Sequence, residues 1–388
     1  SGYYALAEDL DASGTTYTKS VVETLDGTLT GLGHTINNLT ISAPSTNYIS
    51  LIGTAATGSI LREIGLTNAN IEGKLYVGTL VGYAPGALNV TRAYSSGSVT
   101  GASYAGGLIG YMTGDDSVAG TVSYCYSSAN VRASTSGDGI GGLIGWLGIN
   151  SSITHTHATG DVTGNNGCVG GLIGRLRSNM GTSDTTLVDL SYATGAVTNE
   201  GTNSTARNAV YAAGGLIGYA LGRYSKAGSV RITNSFATGA VTGAAVVGGL
   251  IGYGSYVNIN NTYHTTGAVT SSSYNNILGV KFSGTGGLAG YLANSDVSNS
   301  FSTSDVESTL NSTFAAGIGG LIGYFKSSSG SGATMNSITN CFATNATITG
   351  QPKSLGVGGL VGIVELGNII KVLPGFPWVT ALRHAWDR

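Results

Sequence analysis

His155 and His157 stand two residues apart with Asp161 close behind, the nearest approach to a metal-site fragment in this 388-residue chain. Residues i and i+2 of a strand share a face, and imidazole with carboxylate is a zinc-binding set. His157 also occupies a column that holds an aromatic or His in every repeat, so ring packing is the simpler role. No metal or other cofactor is expected. Asp115 and Asp116 are adjacent, and a strand would turn them to opposite faces, so they read as a solvated loop tip. No HExxH peptidase motif and no GxSxG nucleophile elbow occur, and no Gly-x-Gly string is followed by the Lys-Ser/Thr of a phosphate loop. With 19 carboxylates in all, many near the N-terminus or in loops, the residues point away from catalysis. The remaining array is threonine. Thr159, Thr194, Thr238, Thr266, Thr303 and Thr344 follow the aromatic column by two, and Thr100, Thr163, Thr198, Thr242 and Thr270 follow a valine column. Outward Thr rows on a flat solenoid can bind ice. β-propensity gives the same residues a plain ladder role, and Arg132 and Glu307 interrupt the rows.

What must position these residues is a repeat. GGLIG or a close variant occurs at 106–110, 141–145, 170–174, 214–218, 248–252, 286–290, 319–323 and 358–362, with a looser GTLVG at 78–82. Its leucines, Leu80, Leu108, Leu143, Leu172, Leu216, Leu250, Leu288, Leu321 and Leu360, are the expected core. A second motif alternates with it, as in ITNSFATGAVTG at 232–243. Aligned without gaps until its last copy, it starts with a β-branched residue everywhere except Asn260. Its fifth position gives the aromatic column Tyr94, Tyr126, His157, Tyr192, Phe236, His264, Phe301 and Phe342. Small residues flank that column, so the rings are expected to face out, with a bend near the third position, where Asn234, Asn299 and Asn340 sit.

Apolar anchors such as Leu143, Ile153, Val162 and Leu172 recur every 9–10 residues with no helical period. They describe an all-β solenoid of three short strands per coil and roughly 9–11 coils, in which each column becomes a ladder. Leu and Ile of GGLIG are neighbours, and a bend that turns both inward is expected, because a bare apolar stripe would invite association. Residues 1–77 read as lead-in and early coils and 78–363 as the regular repeats. The segment 364–388 departs from the pattern, with two of the 5 prolines and two of the 3 tryptophans. Pro377 there starts a short capping helix, or the tail is foreign to the fold; both readings stand.

Composition sets the outer bounds. Gly numbers 64, charged residues are 9% against roughly 25% in ordinary domains, and the net charge is −2. The 17 basic residues form no footprint for nucleic acid, and no apolar run approaches the roughly 18 residues of a membrane span. Cys125 and Cys341 fall six repeats apart, about 29 Å at 4.8 Å per coil. That separation is too great for a disulfide, so both are expected to be buried thiols. The chain opens at Ser1 without Met or a signal peptide, as a mature product or an excised piece would.

These paired motifs resemble the GLUG repeat of bacterial surface proteins. The lead-in YALAEDLDASG at 4–14, with GTLTGLGHTINNLTI and YISLIGT after it, is similar to the start of GLUG regions in filamentous-haemagglutinin-type secreted adhesins. The resemblance covers about 3–363. It implies a right-handed parallel β-helix, exported and displayed at the cell surface as a non-catalytic adhesin or structural shaft. The expected partner is a host-cell or biofilm glycan or protein, held by the lateral face and by loops 112–120, 199–213 and 271–285. End-to-end self-association is compatible with such a stack. GLUG repeats also accompany immunoglobulin-A-cleaving metallopeptidases, so the alternative is a stalk or accessory module of a larger secreted enzyme. An ice-binding solenoid and a polysaccharide lyase rank behind both.

Overall fold

The computed structural model describes residues 2–115, 117–178, 185–201, 210–224, 229–277, 280–310, 315–327, 337–344, 347–351, 354 and 356–365. One coil runs through five short strands: Ser151–Thr154, His157–Ala158, Val162–Gly164, Cys168–Gly170 and Ile173–Arg177. The next begins at Thr186–Asp189, which pairs in parallel with Ser151–Thr154. Repeated along the chain, this makes a parallel β-helix with four ladders. Sheet I runs over eleven strands from Gly2–Ala5 to Ser337–Thr339. Sheet II is a bent face whose two tracks fuse in the long strands Gly65–Glu72 and Tyr94–Gly101. Sheet III runs from Leu75–Val77 to Gly356–Gly358. Sheet IV spans eleven strands from Val22–Leu25 to Val361–Glu365. At about 4.8 Å per level the stack is about 50 Å long. One local exception is Asn275–Ile277, which pairs antiparallel with Val280–Gly286 inside the expected loop 271–285.

The coil is divided more finely than the three strands expected. Residues 159–161 break sheet II into two tracks, and the Gly-Leu step at 171–172 separates sheet III from sheet IV. Sheet IV continues to Glu365, two residues past the expected end of the repeats, and the helix expected at Pro377 lies outside the described residues.

The break at Gly-Leu also turns two adjacent side chains inward. The Leu172 carbonyl accepts from both Leu143 N–H (2.9 Å) and Ile144 N–H (3.0 Å), and Leu216 does the same for Leu172 and Ile173. Two successive N–H groups aimed at one carbonyl are the mark of a bulge, which re-aims a side chain that a regular strand would send outward. Leu143, Ile144, Leu172 and Ile173 are accordingly all fully buried. Each such pair removes two large aliphatic side chains from water, about 2 kcal/mol apiece.

Between sheets I and II the chain bends through one residue with left-handed backbone. At eight successive levels this residue is Arg92, Tyr124, His155, Leu190, Asn234, Asn261, Asn299 and Asn340, with φ between 48 and 54°. Asparagine tolerates that region and here also bridges levels, with Asn261 Nδ2 donating to Asn234 Oδ1 at 2.7 Å. Leucine pays the Cβ–carbonyl clash without return, and Leu190 is 46% exposed. Leu190→Asn is therefore expected to stabilise the chain by about 1 kcal/mol. The check is the shift of the unfolding midpoint, and an unchanged or lowered midpoint would sink the strain argument.

Candidate functional site

The outward side of sheet II carries a continuous ring stack. Tyr94, Tyr126, His157, Tyr192, Phe236, Tyr263, Phe301 and Phe342 lie at successive levels, 4.7–5.1 Å apart and within 12° of parallel. Parallel pairing at the strand spacing forces each ring onto the next, and every pair adds about 1 kcal/mol beyond burial. The stack therefore covers its own faces and shows solvent only ring edges. It stiffens the shaft and offers no open face along its length for a sugar to stack on.

Seven of the expected column members lie in this stack; His264 does not. Tyr263 takes the ring position, paired with Phe236 and Phe301, and His264 turns into the core beside Ala237 and Ser302. The cause is one extra residue. Ile259, not Asn260, pairs with Ile232 and Val297 in sheet I, while Val269 still pairs with Val241 and Val306. The surplus is absorbed at Thr266, whose φ of 73° sits within a tight turn closed by Gly267 N–H on the Thr265 carbonyl. Thr265 thereby takes the row position expected of Thr266. Buried His264 is fully bonded as a neutral ring. Its Nε2 meets the Gly239 carbonyl at 3.0 Å, so Nε2 carries the proton, and its Nδ1 accepts from the Ser304 hydroxyl at 2.7 Å. Burial lowers its pKa to about 4.

The other chemistry-bearing residues are spent on the fold. His155 occupies the left-handed bend and stacks on Tyr124 (4.7 Å), so it does not share a face with His157. Asp161 Oδ1 accepts from Ala196 N–H of the next level at 2.9 Å. Asp115 Oδ1 caps its own loop through Ser117 and Val118 N–H, and Asp116 lies outside the described residues. No group of three His, Cys, Asp or Glu side chains is assembled among the described residues. Cys125, Cys168 and Cys341 are free and buried, and burial pushes the Cys125 thiol up to about 12 and Cys341 to about 11. Such thiols are poor nucleophiles.

A second ladder, absent from the sequence reading, lies on sheet IV at the residue after each GGLIG. Its levels are Tyr83, Tyr111, Trp146, Arg175, Tyr219, Tyr253, Tyr291 and Tyr324. Between Tyr83 and Tyr324 Arg175 is the one non-aromatic member, and Ile363 follows at the next level. Its guanidinium lies 4.9 Å from the Trp146 ring and 4.7 Å from the Tyr219 ring, a planar cation filling the place of a ring. Its Nη1 is paired with Asp138 Oδ2, whose second oxygen accepts from Cys168 N–H at 3.0 Å.

Around this pair the surface is hollowed. Tyr48, Tyr76 and Tyr104 stack along the sheet III side at 5.1 Å intervals, and the next level has Gly139, which Tyr104 covers. Where the tyrosines stop, a recess of about 430 Å³ opens. Asp138, Arg175, Asn166, Ser136 and Tyr219 line it, together with Val210 and Tyr211. Of the loops expected to bind, 199–213 thus reaches this recess through its last residues, while 202–209 lie outside the described residues. Asn166 Nδ2 donates to Ser136 Oγ at 2.7 Å. Burial pushes the Tyr219 phenol up to about 12, so it stays protonated. Arg175 Nε is buried without an acceptor. The signal in the sequence was the R at 175, set among the Y and W that follow the neighbouring GGLIG copies.

The model of the GLUG motif matches residues 101–132, one coil of the stack. That coil carries the GLUG motif. The GLUG leucines fill the interior as one column, Leu80 through Leu321 fully buried and Leu360 half-buried. The chain is 34% identical to halomucin of Haloquadratum walsbyi over 101 residues, 23% of this chain and 1% of halomucin's length. Its fold is shared with a crystal structure from Bacteroides ovatus provisionally described as an immunoglobulin A1 protease. That match has a TM-score of 0.50 and 22% identity, covering 62% of this chain and 70% of that one. The A-module of the mannuronan C-5 epimerase AlgE6 from Azotobacter vinelandii aligns over 96% of this chain and 90% of its own, at 12% identity and a TM-score of 0.25, which carries no argument.

Proposed function

We propose that this GLUG solenoid is a non-catalytic shaft displayed outside the cell, binding glycan ligands of a host surface or biofilm through its lateral face. The observation that carries this reading is a contrast within one stack. Among the described residues, the histidines, cysteines and most of the carboxylates are tied into ladders, bends and loop caps, while one lateral corner keeps a polar recess lined in part by tyrosine. A stack held by repeated backbone pairing is rigid along its axis, and its long sides are the natural binding surface. Likeness to a protein named halomucin is in keeping with display outside the cell.

The test is retention of the purified chain on immobilised host and biofilm glycans, with surface display followed by protease shaving of intact source cells. Retention with no release of unsaturated sugar from pectin-like polymers is expected. Turnover of such a polymer would replace the shaft with a lyase. The fold shared with the Bacteroides ovatus protein favours a second reading, a stalk for a catalytic domain encoded alongside. An HExxH domain in the same reading frame would establish it.

A further inference from the structure

We propose that the recess beside Arg175 is a subsite for one neutral sugar unit of a glycan chain, an assignment that rests on the glycan-binding reading above. Its volume, about 430 Å³, lies at the small end of ligand pockets, which run from roughly 300 to 1,000 Å³. That scale suits a ring-sized ligand better than a folded peptide.

The polar groups narrow the chemistry. Arg175 and Asp138 form a closed ion pair, so donor and acceptor stand side by side with no net charge. The Asn166 amide and Ser136 hydroxyl add a further donor–acceptor pair nearby. A sugar hydroxyl both donates and accepts, so neighbouring hydroxyls match such a wall. A carboxylate or phosphate ligand would have to compete with Asp138 for the guanidinium and would meet its like charge. An apolar ligand would leave these groups desolvated and unpaired. Tyr219 is covered on one face by Tyr253 and on the other by the Arg175 guanidinium, so it lines the recess with its edge, beside Tyr211.

The fold does not require the arrangement. Every other level of this ladder from Tyr83 to Tyr324 is built with Tyr or Trp. Arg175→Tyr restores the ladder's own residue, so it removes the cation while keeping a fitting ring between Trp146 and Tyr219. Asn166 has a φ of 79°, which glycine adopts freely, so Asn166→Gly removes the amide without backbone strain.

The experiment is saturation-transfer NMR on the whole chain with free glucose, galactose, mannose and N-acetylglucosamine at tens of millimolar. Glucuronate and N-acetylneuraminate are the anionic comparison. Transfer from at least one neutral sugar is expected, at least about tenfold weaker in Arg175→Tyr and several-fold weaker in Asn166→Gly. Transfer unchanged in both variants overturns the assignment, as does binding of the anionic sugars alone or no transfer at all. Glycan retention that survives Arg175→Tyr would remove the subsite and leave the shaft's function standing. A wild-type chain that no glycan retains would remove both.

Discussion

Gly215→Ala is expected to cost at least about 3 kcal/mol of stability, far more than a single methyl group costs on most surfaces. A methyl built on Gly215 falls inside contact distance of the Gly249 carbonyl of the next coil, and lies 2.9 Å from the Ala237 methyl. The other partner, Gly214, would strike the Ile217 carbonyl of its own bulge. These glycines are demanded by close backbone approach, for neither has a left-handed φ. Relief by shifting the coil is blocked, because Gly215 N–H donates to Gly248 (3.2 Å) and Leu216 N–H to Leu250 (2.9 Å) in the level it would have to leave. Stability in a solenoid passes from neighbour to neighbour, so one spoiled interface uncouples the stack on either side. The signature is a lowered unfolding midpoint together with a new protease-sensitive point near 215. Gly14→Ala is the control, since nothing lies within 4 Å of a methyl there, and its effect should stay within about 0.5 kcal/mol. Equal effects at the two positions would remove close approach as the reason for the paired glycines.

That clash also explains how much of the molecule could be read from residues alone. Stacking turns alignment columns into ladders, so small residues beside the rings announced the interior, and Asn at the third position announced the bend. Leu and Ile as neighbours pointed to a bend that turns both inward, and the bulge at that step provides it. Two things escaped for physical reasons. His264 is close enough in size and flatness to pass for a ring in the column, and the doubled Asn260-Asn261 hid the extra residue. Only the ladder register, with Ile259 level with Ile232, separates the two alignments. The recess escaped because its parts come from six separate segments, Ser103, Ser136–Asp138, Asn166–Gly167, Arg175, Val210–Tyr211 and Tyr219, which become neighbours only through stacking.

Between pH 6.5 and about 4 the chain is expected to lose about 3 kcal/mol of stability through His264 alone. Its folded pKa is depressed to about 4 from the ordinary 6.5, with desolvation as the leading cause. The native state therefore keeps the ring neutral while the unfolded chain already binds a proton. Stability falls as pH drops through this interval, at up to about 1.4 kcal/mol per unit, and levels off below the folded pKa. His157, also lowered by burial, adds a smaller slope in the same direction because it is only half-buried. Asp9 and Asp11 are lowered by hydrogen bonds, chiefly from Thr35 N–H and the Asn38 amide, so they act at pH values below the ordinary carboxylate range. The two windows are separable. His264→Ala combined with deletion of Thr266 recreates the neighbouring coil, where Ala237 and Gly239 fill the same positions with no bulge. This double change should abolish most of the slope between pH 6.5 and 4 in denaturant unfolding midpoints, and leave the acid limb below it. A slope that survives would assign the pH dependence to groups other than the buried ring.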